Sequence, residues 1–179
     1  MKTIIVLAMH GTLPKDLPRE LGKEFFAVRG RLEQAPEAER AALQQRYTEI
    51  DARLRSWPRT AANDPYHAAS QEMADHLGRA TGGDVIAGFN EFCAPSHDQA
   101  MDEAVARGAA RVVVITPMVT RGGEHAEKEI AAIVEAARAR HPDVAWVYAW
   151  PYPVAEVAQF LATQISRFVP ANPANRTRD

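Results

Sequence analysis

Four short Val- and Ile-rich runs, separated by stretches of helical character, predict an α/β fold: an open parallel sheet of about four strands with helices on both faces. The runs are mostly continuous rather than alternating, as strands covered on both faces must be. The stretches between them carry helix start and stop signals. One long segment after the first run breaks the alternation, and its apolar spacing predicts an inserted helical hairpin.

Taken in order, the first strand covers residues 3–9, "TIIVLAM". Lys2 followed by this apolar run resembles a signal peptide, but the run stops at His10 with no small-residue cleavage site, which favours a strand. Between it and Asp64 lie about fifty residues, far more than the roughly 2–6 of an ordinary βα loop. Leu17, Leu21, Phe25, Val28 and Leu32 recur at helical spacing, as do Leu43, Tyr47, Ile50, Leu54 and Trp57, with Ala35-Pro36 between the two sets. The hairpin, placed at 13–60, is expected to bury both stripes against each other, the sheet domain or a partner subunit. It is either structural decoration or a lid over the end of the first strand.

"PYHAASQEMADHLGRATGG" predicts a helix with Asp64 as N-cap, Pro65 in the first turn and glycines at the end. Strand two follows at 85–89. A helix with Pro95 near its start stops at Gly108, and strand three spans 111–117. "EHAEKEIAAIVEAARARHP" predicts a helix ending before Pro142, strand four spans 144–150, and "PVAEVAQFLATQISRF" closes the domain. One domain over 1–170 and a frayed tail over 171–179 account for the chain of 179 residues.

Composition excludes several classes. With 46% apolar and 25% charged residues the chain reads as a globular protein. A net charge of −2 and a pI near 6.3 argue against nucleic acid or an anionic membrane as partner. No segment reaches the roughly 20 apolar residues of a membrane span. Cys93 is the single cysteine, so no internal disulfide forms, and the expected location is the cytoplasm.

Chemistry is sought where open parallel sheets bind ligands, beyond the carboxyl ends of the strands where strand order reverses. In the order 2-1-3-4, that point lies between strands one and three. His10 ends strand one, and His125 follows strand three after Gly122-Gly123, which permit a tight turn. Both histidines are therefore expected in one crevice, with imidazoles roughly 4–8 Å apart. Such a pair suits a divalent first-row metal or acts as proton acceptors near neutrality. Glu91 in "GFNEFCAPS" adds an unpaired acid at the same rim, or else caps the next helix. His67, His76, His97 and His141 read as structural residues on helix faces or ends, and Cys93 as packing.

"IIVLAMHGT" and "VIAGFNEFCAPSHDQAMDEAVARGAARVVVITPMVTRGGEHAEKEI" resemble the sirohydrochlorin chelatases of the CbiX type, the class II chelatases. The resemblance covers residues 1–12 and about 64–168 and rests on a strand ending in His-Gly, a strand running into Glu with Pro-Ser soon after, and a Gly-x-His loop before a helix. It implies a chelatase-like, Rossmann- or flavodoxin-like sheet and a lyase inserting Co2+, Fe2+ or Ni2+ into a tetrapyrrole without ATP or an organic cofactor, in cobalamin or siroheme biosynthesis. By the same resemblance His10 and His125 bind metal or take pyrrole protons, and Glu91 is the family acid. Gly11, Thr12, Arg121, Gly122 and Gly123 would line the substrate, and a homodimer would complete the cleft. Thr12 replaces the commoner Ser, Glu129 stands where Asp is usual, Ile130 is not followed by Pro, and compact members lack the hairpin.

Two other readings compete. A histidine phosphatase also ends its first strand in His-Gly but needs an Arg before the His to hold phosphate, and here that residue is Met9. A tetrapyrrole or metal carrier would keep the fold and the histidine pair without turnover.

Overall fold

The computed structural model describes residues 1–169; the tail expected at 171–179 lies outside the described residues. Strands β1 (Thr3–Met9), β2 (Asp84–Phe89), β3 (Arg111–Ile115) and β4 (Ala145–Tyr148) pair in parallel in the order β2-β1-β3-β4. The sheet's order reverses between β1 and β3, as the sequence predicts. β3 and β4 both end two residues before the expected limits of 117 and 150. Pro117 has no N–H to give a ladder, and Trp150 is followed by another proline.

Side chains of the central strands divide between two cores, which explains why the runs are apolar without alternation. Ile4, Val6, Ala8, Val112 and Val114 point into a core closed by α4 (His97–Ala106) and α5 (Ile130–Arg140) through Met101, Ala104, Ile130 and Val134. Leu7, Met9, Ala87 and Phe89 face the other way, towards α3 (Pro65–Thr81) and the buried Cys93. The helix signals work as read. Asp64 accepts the His67 N–H at the start of α3, and Gly82 ends that helix at φ 69°. Ser96 and Gln99 form a reciprocal capping box on α4.

Between β1 and α3 the chain forms α1 (Arg19–Gln34) and α2 (Glu37–Arg55). Ala35 is extended because Pro36 follows it, and this breaks one helix from the next. The helices run antiparallel: Arg31 meets Glu39 near the turn, and Glu24 meets Arg46 farther out. Leu17, Leu21, Phe25, Val28, Leu43, Ile50 and Leu54 share one core with Phe92, which comes from the loop after β2. Phe92 adopts φ 60°, a conformation that costs a bulky residue roughly 1–3 kcal/mol. Its ring lies 5.2 Å from that of Phe25 and is almost wholly buried, which offsets that cost.

The hairpin is joined to the sheet domain by several hydrogen bonds and a buried ion pair. Arg55 donates to the carbonyls of Cys93 (2.7 Å) and Asn90 (2.9 Å). Arg59 donates to those of Thr12 (2.7 Å) and Phe92 (2.6 Å) and pairs with Asp64, whose side chain is fully buried. At its base Lys15 N–H donates to the Asn63 carbonyl at 2.8 Å, so the segment enters and leaves at one place. In this structure the hairpin stands as a wall beside the end of β1.

The last helix, α6 (Val154–Ser166), departs from expectation. It forms, but none of its residues is fully buried, and Val154, Phe160, Leu161 and Ile165 are left mostly exposed. No helix among the described residues is long and apolar enough to cross a membrane.

Candidate active site

His10 immediately follows the buried β1, and its carbonyl-side neighbours are locked in place. Gly11 has to be glycine: a Cβ there would lie 1.6 Å from the Glu91 carbonyl oxygen. Beneath β1's end, buried His97 meets the Met9 carbonyl through Nε2 at 3.1 Å. Its Nδ1 has no partner, and burial first of all lowers its pKa, so His97 is a neutral structural donor.

His125 opens a π-helical turn, His125–Glu129, that runs into α5. Such turns are rare and cluster at functional sites. Gly122, at φ 85°, makes the preceding bend; Gly123 needs no such conformation. Tyr148, at the end of β4, donates to the Ala126 carbonyl at 2.7 Å and pins the turn. Burial pushes the Tyr148 hydroxyl up to about 12, so it remains a donor.

The two imidazoles meet edge to face with centroids 4.5 Å apart, inside the separation expected from the strand order. His125 Nδ1 lies 2.6 Å from Glu129 Oε2, and the Asn90 amide sits 3.3 Å from both of those atoms. With Glu129 ionised, the proton belongs on Nδ1, and Asn90 donates to the carboxylate. That leaves the Nε2 lone pair free. Burial, and then the neighbouring His125, lower the His10 pKa, while Glu91 and Glu129 pull the other way. His10 is therefore neutral at neutral pH.

Several expected site residues have other tasks. Glu91 is not an unpaired rim acid: Arg29 of α1 donates to it at 2.6 Å. The Thr12 hydroxyl is turned away from the crevice to Asp64 at 2.8 Å and serves the Arg59–Asp64 clasp. Gly11 accommodates the Glu91 backbone. Gly122 N–H donates to Glu127 at 2.8 Å, which shapes the turn before His125. Arg121 is exposed on the lip, with no ion-pair partner among the described residues. Cys93 is packed as expected, and burial pushes its thiol up.

Sequence reasoning missed Asn90 and Arg29. It noted Glu129 only as a departure, although a carboxylate four residues after a helical His was the available signal. Beside His125 a cavity of about 380 Å³ is walled by Pro117, Met118, Val119 and Thr120. A larger hollow of about 510 Å³ between α2 and the start of α4 is lined by neither histidine, whereas His125 lines the smaller one. Among the described residues, no group of three or more His, Cys, Asp or Glu side chains is arranged to hold a metal ion.

These features define an open parallel α/β protein with a pair of imidazoles at its switch point. The CbiX family model matches residues 62–166, more than half of the chain, and the chain belongs to that family. A sirohydrochlorin cobaltochelatase of Priestia megaterium is 38% identical over 78 residues, which are 43% of this chain and 25% of that protein. The chain thus matches about a quarter of that curated relative's length. Two similar solved structures are SirB from Bacillus subtilis with Fe3+ and a cobalamin (vitamin B12) biosynthesis CbiX protein from Marinobacter aquaeolei VT8. Each has a TM-score of 0.47 and 16% identity. The first covers 95% of this chain and 49% of its own, and the second 92% and 98%.

Proposed function

We propose that this protein inserts a divalent metal, Co2+, Fe2+ or Ni2+, into a tetrapyrrole such as sirohydrochlorin, without ATP. The observation that carries the reading is the His10–His125 pair at 4.5 Å, one at the end of β1 and the other in the turn that follows β3, in a CbiX-family chain. The metal ion is a substrate here. The two imidazoles offer it two nitrogen ligands, enough to receive it and few enough to release it.

Insertion breaks two pyrrole N–H bonds, and metal–nitrogen bonds to the macrocycle replace those to water and imidazole. Each imidazole that gives up the metal regains a lone pair and accepts one proton, so two histidines match two protons. Glu129 behind His125, and Glu91 near His10, steady the imidazolium ions until water removes their protons. Arg121 on the lip contacts substrate carboxylates. A second copy of the chain, seated on the bare face of α6, completes a homodimer.

A metal carrier would need a firmer ligand set than this pair, which leaves a pigment carrier as the competing reading. Purified protein mixed with sirohydrochlorin and Co2+ should accelerate the absorbance change over a protein-free control. His10→Ala and His125→Ala should each lose most of that acceleration, and the double variant should be little worse than either, because groups acting as a unit are non-additive. Pigment binding with no acceleration would make the protein a carrier.

A further inference from the structure

The chain leaving the candidate site, "HGTLPKDLPRELGKEFF", builds a second feature that the insertion chemistry does not use. Leu13 and Leu17 turn their side chains towards α1, and with Phe26 they floor a groove of about 400 Å³. Phe25, one residue before, is fully buried, whereas Phe26 remains 52% exposed. Its ring stands edge-on to Phe25 at 5.5 Å and near Phe92 at 6.1 Å, so it is held in place and open on one face.

The rim of this groove is cationic. Lys15, Arg19 and Lys23 line it. Lys15 and Arg19 have no ion-pair partner among the described residues, and Lys23 has only the exposed Glu20 at 3.1 Å. Arg19 holds the first position of α1 and Lys15 precedes it. Helix N-termini favour acids, so cations there oppose the helix dipole. Among the described residues the Lys15 and Arg19 side chains make no hydrogen bond or ion pair that would offset this, Glu20 being the one acid in the first turn, and a local rule broken without structural gain points to a ligand. Helix end and side chains together make a positive field over an apolar floor.

Resting on the reading above, we propose that this groove holds the carboxylate-bearing edge of the tetrapyrrole. The macrocycle's apolar face lies on Phe26 and Leu13, and its acid arms reach Lys15 and Arg19. Leu13 follows His10 by three residues, so their Cα atoms lie no more than about 11 Å apart. One polyacidic macrocycle can therefore span groove and histidines. The hairpin is then part of the substrate site.

The test is fluorescence titration of the full chain with metal-free sirohydrochlorin at low and high salt, beside steady-state KM measurement. Lys15→Glu/Arg19→Glu should weaken binding roughly tenfold or more at low salt, with the gap shrinking at high salt. Phe26→Ala should weaken it about threefold at either salt, and both losses should appear in KM. Lys15→Ala/Arg19→Ala, checked for an unchanged circular dichroism spectrum, repeats the measurement should the reversed charges disturb folding. If the wild type binds sirohydrochlorin and the variants bind it equally well, the groove is not its site, although the chelatase reading stands. If the wild type binds no sirohydrochlorin, that reading itself falls. Variants that change oligomeric state but keep pigment affinity would give the groove to a second copy and overturn the proposal.

Discussion

Glu129 stands behind His125 and decides which of its ring nitrogens carries a proton. Without it both tautomers become available, and the Nε2 lone pair is no longer reserved for metal or substrate. Glu129→Ala should therefore lower the metal-insertion rate about 10–100-fold, the usual cost of removing a ligand's supporting partner. Glu129→Gln, which keeps an acceptor oxygen, should lose less. An alanine variant running at the wild-type rate would reduce Glu129 to a surface acid. At this scale the sequence was partly legible. His10 and His125 could be paired because strand order alone brings strand ends together. Asn90 lies 35 positions from His125, and Arg29 lies 62 from Glu91. Neither spacing follows from any periodicity, so those contacts appear only in the fold.

Among the elements, the clasp at the start of α3 carries the clearest energetic consequence. Burial pushes the Asp64 carboxyl up, but the His67 N–H, Thr12 and Arg59 outweigh it and hold the group below its usual range. A depressed folded pKa contributes stability that is complete above the unfolded value of about 3.9 and is lost as pH falls through the folded one. Asp64→Asn retains the helix cap yet leaves the buried Arg59 unpaired, at a cost of about 3–5 kcal/mol near neutral pH. Urea midpoints should show that deficit and show it narrowing below about pH 4. A gap independent of pH would mean that the carboxylate's charge is not what matters. The hairpin helices themselves were legible from their apolar spacing. Their attachment was not, because it depends on single guanidinium groups meeting loop carbonyls. The π-helical turn was also hidden, since one added residue leaves the α-helical pattern of the sequence intact.

For the whole molecule, the open face of α6 is the feature that a lone chain leaves unresolved. A helix most of whose apolar side chains stay exposed presents surface that water disfavours. If a second copy covers it, light scattering should find a dimer for the wild type and a monomer for Phe160→Ser/Ile165→Ser. A monomeric wild type would remove the second copy from the picture. The sheet, its order and its switch point were legible because they follow from composition and connection rules. The role of α6 was not, because the same amphipathic pattern serves a core or a partner. The meeting of Lys15 with Asn63 at the base of the hairpin has a consequence of another kind. Considered as a stretch of coding sequence, what lies between them is a cassette whose two junctions touch. Its two ends meet outside the four strands, while Arg29, Arg55 and Arg59 within it brace the loop after β2. A segment whose ends touch can be exchanged for another without redirecting the strands on either side, so proteins that share this sheet have one place at which a different wall can be fitted.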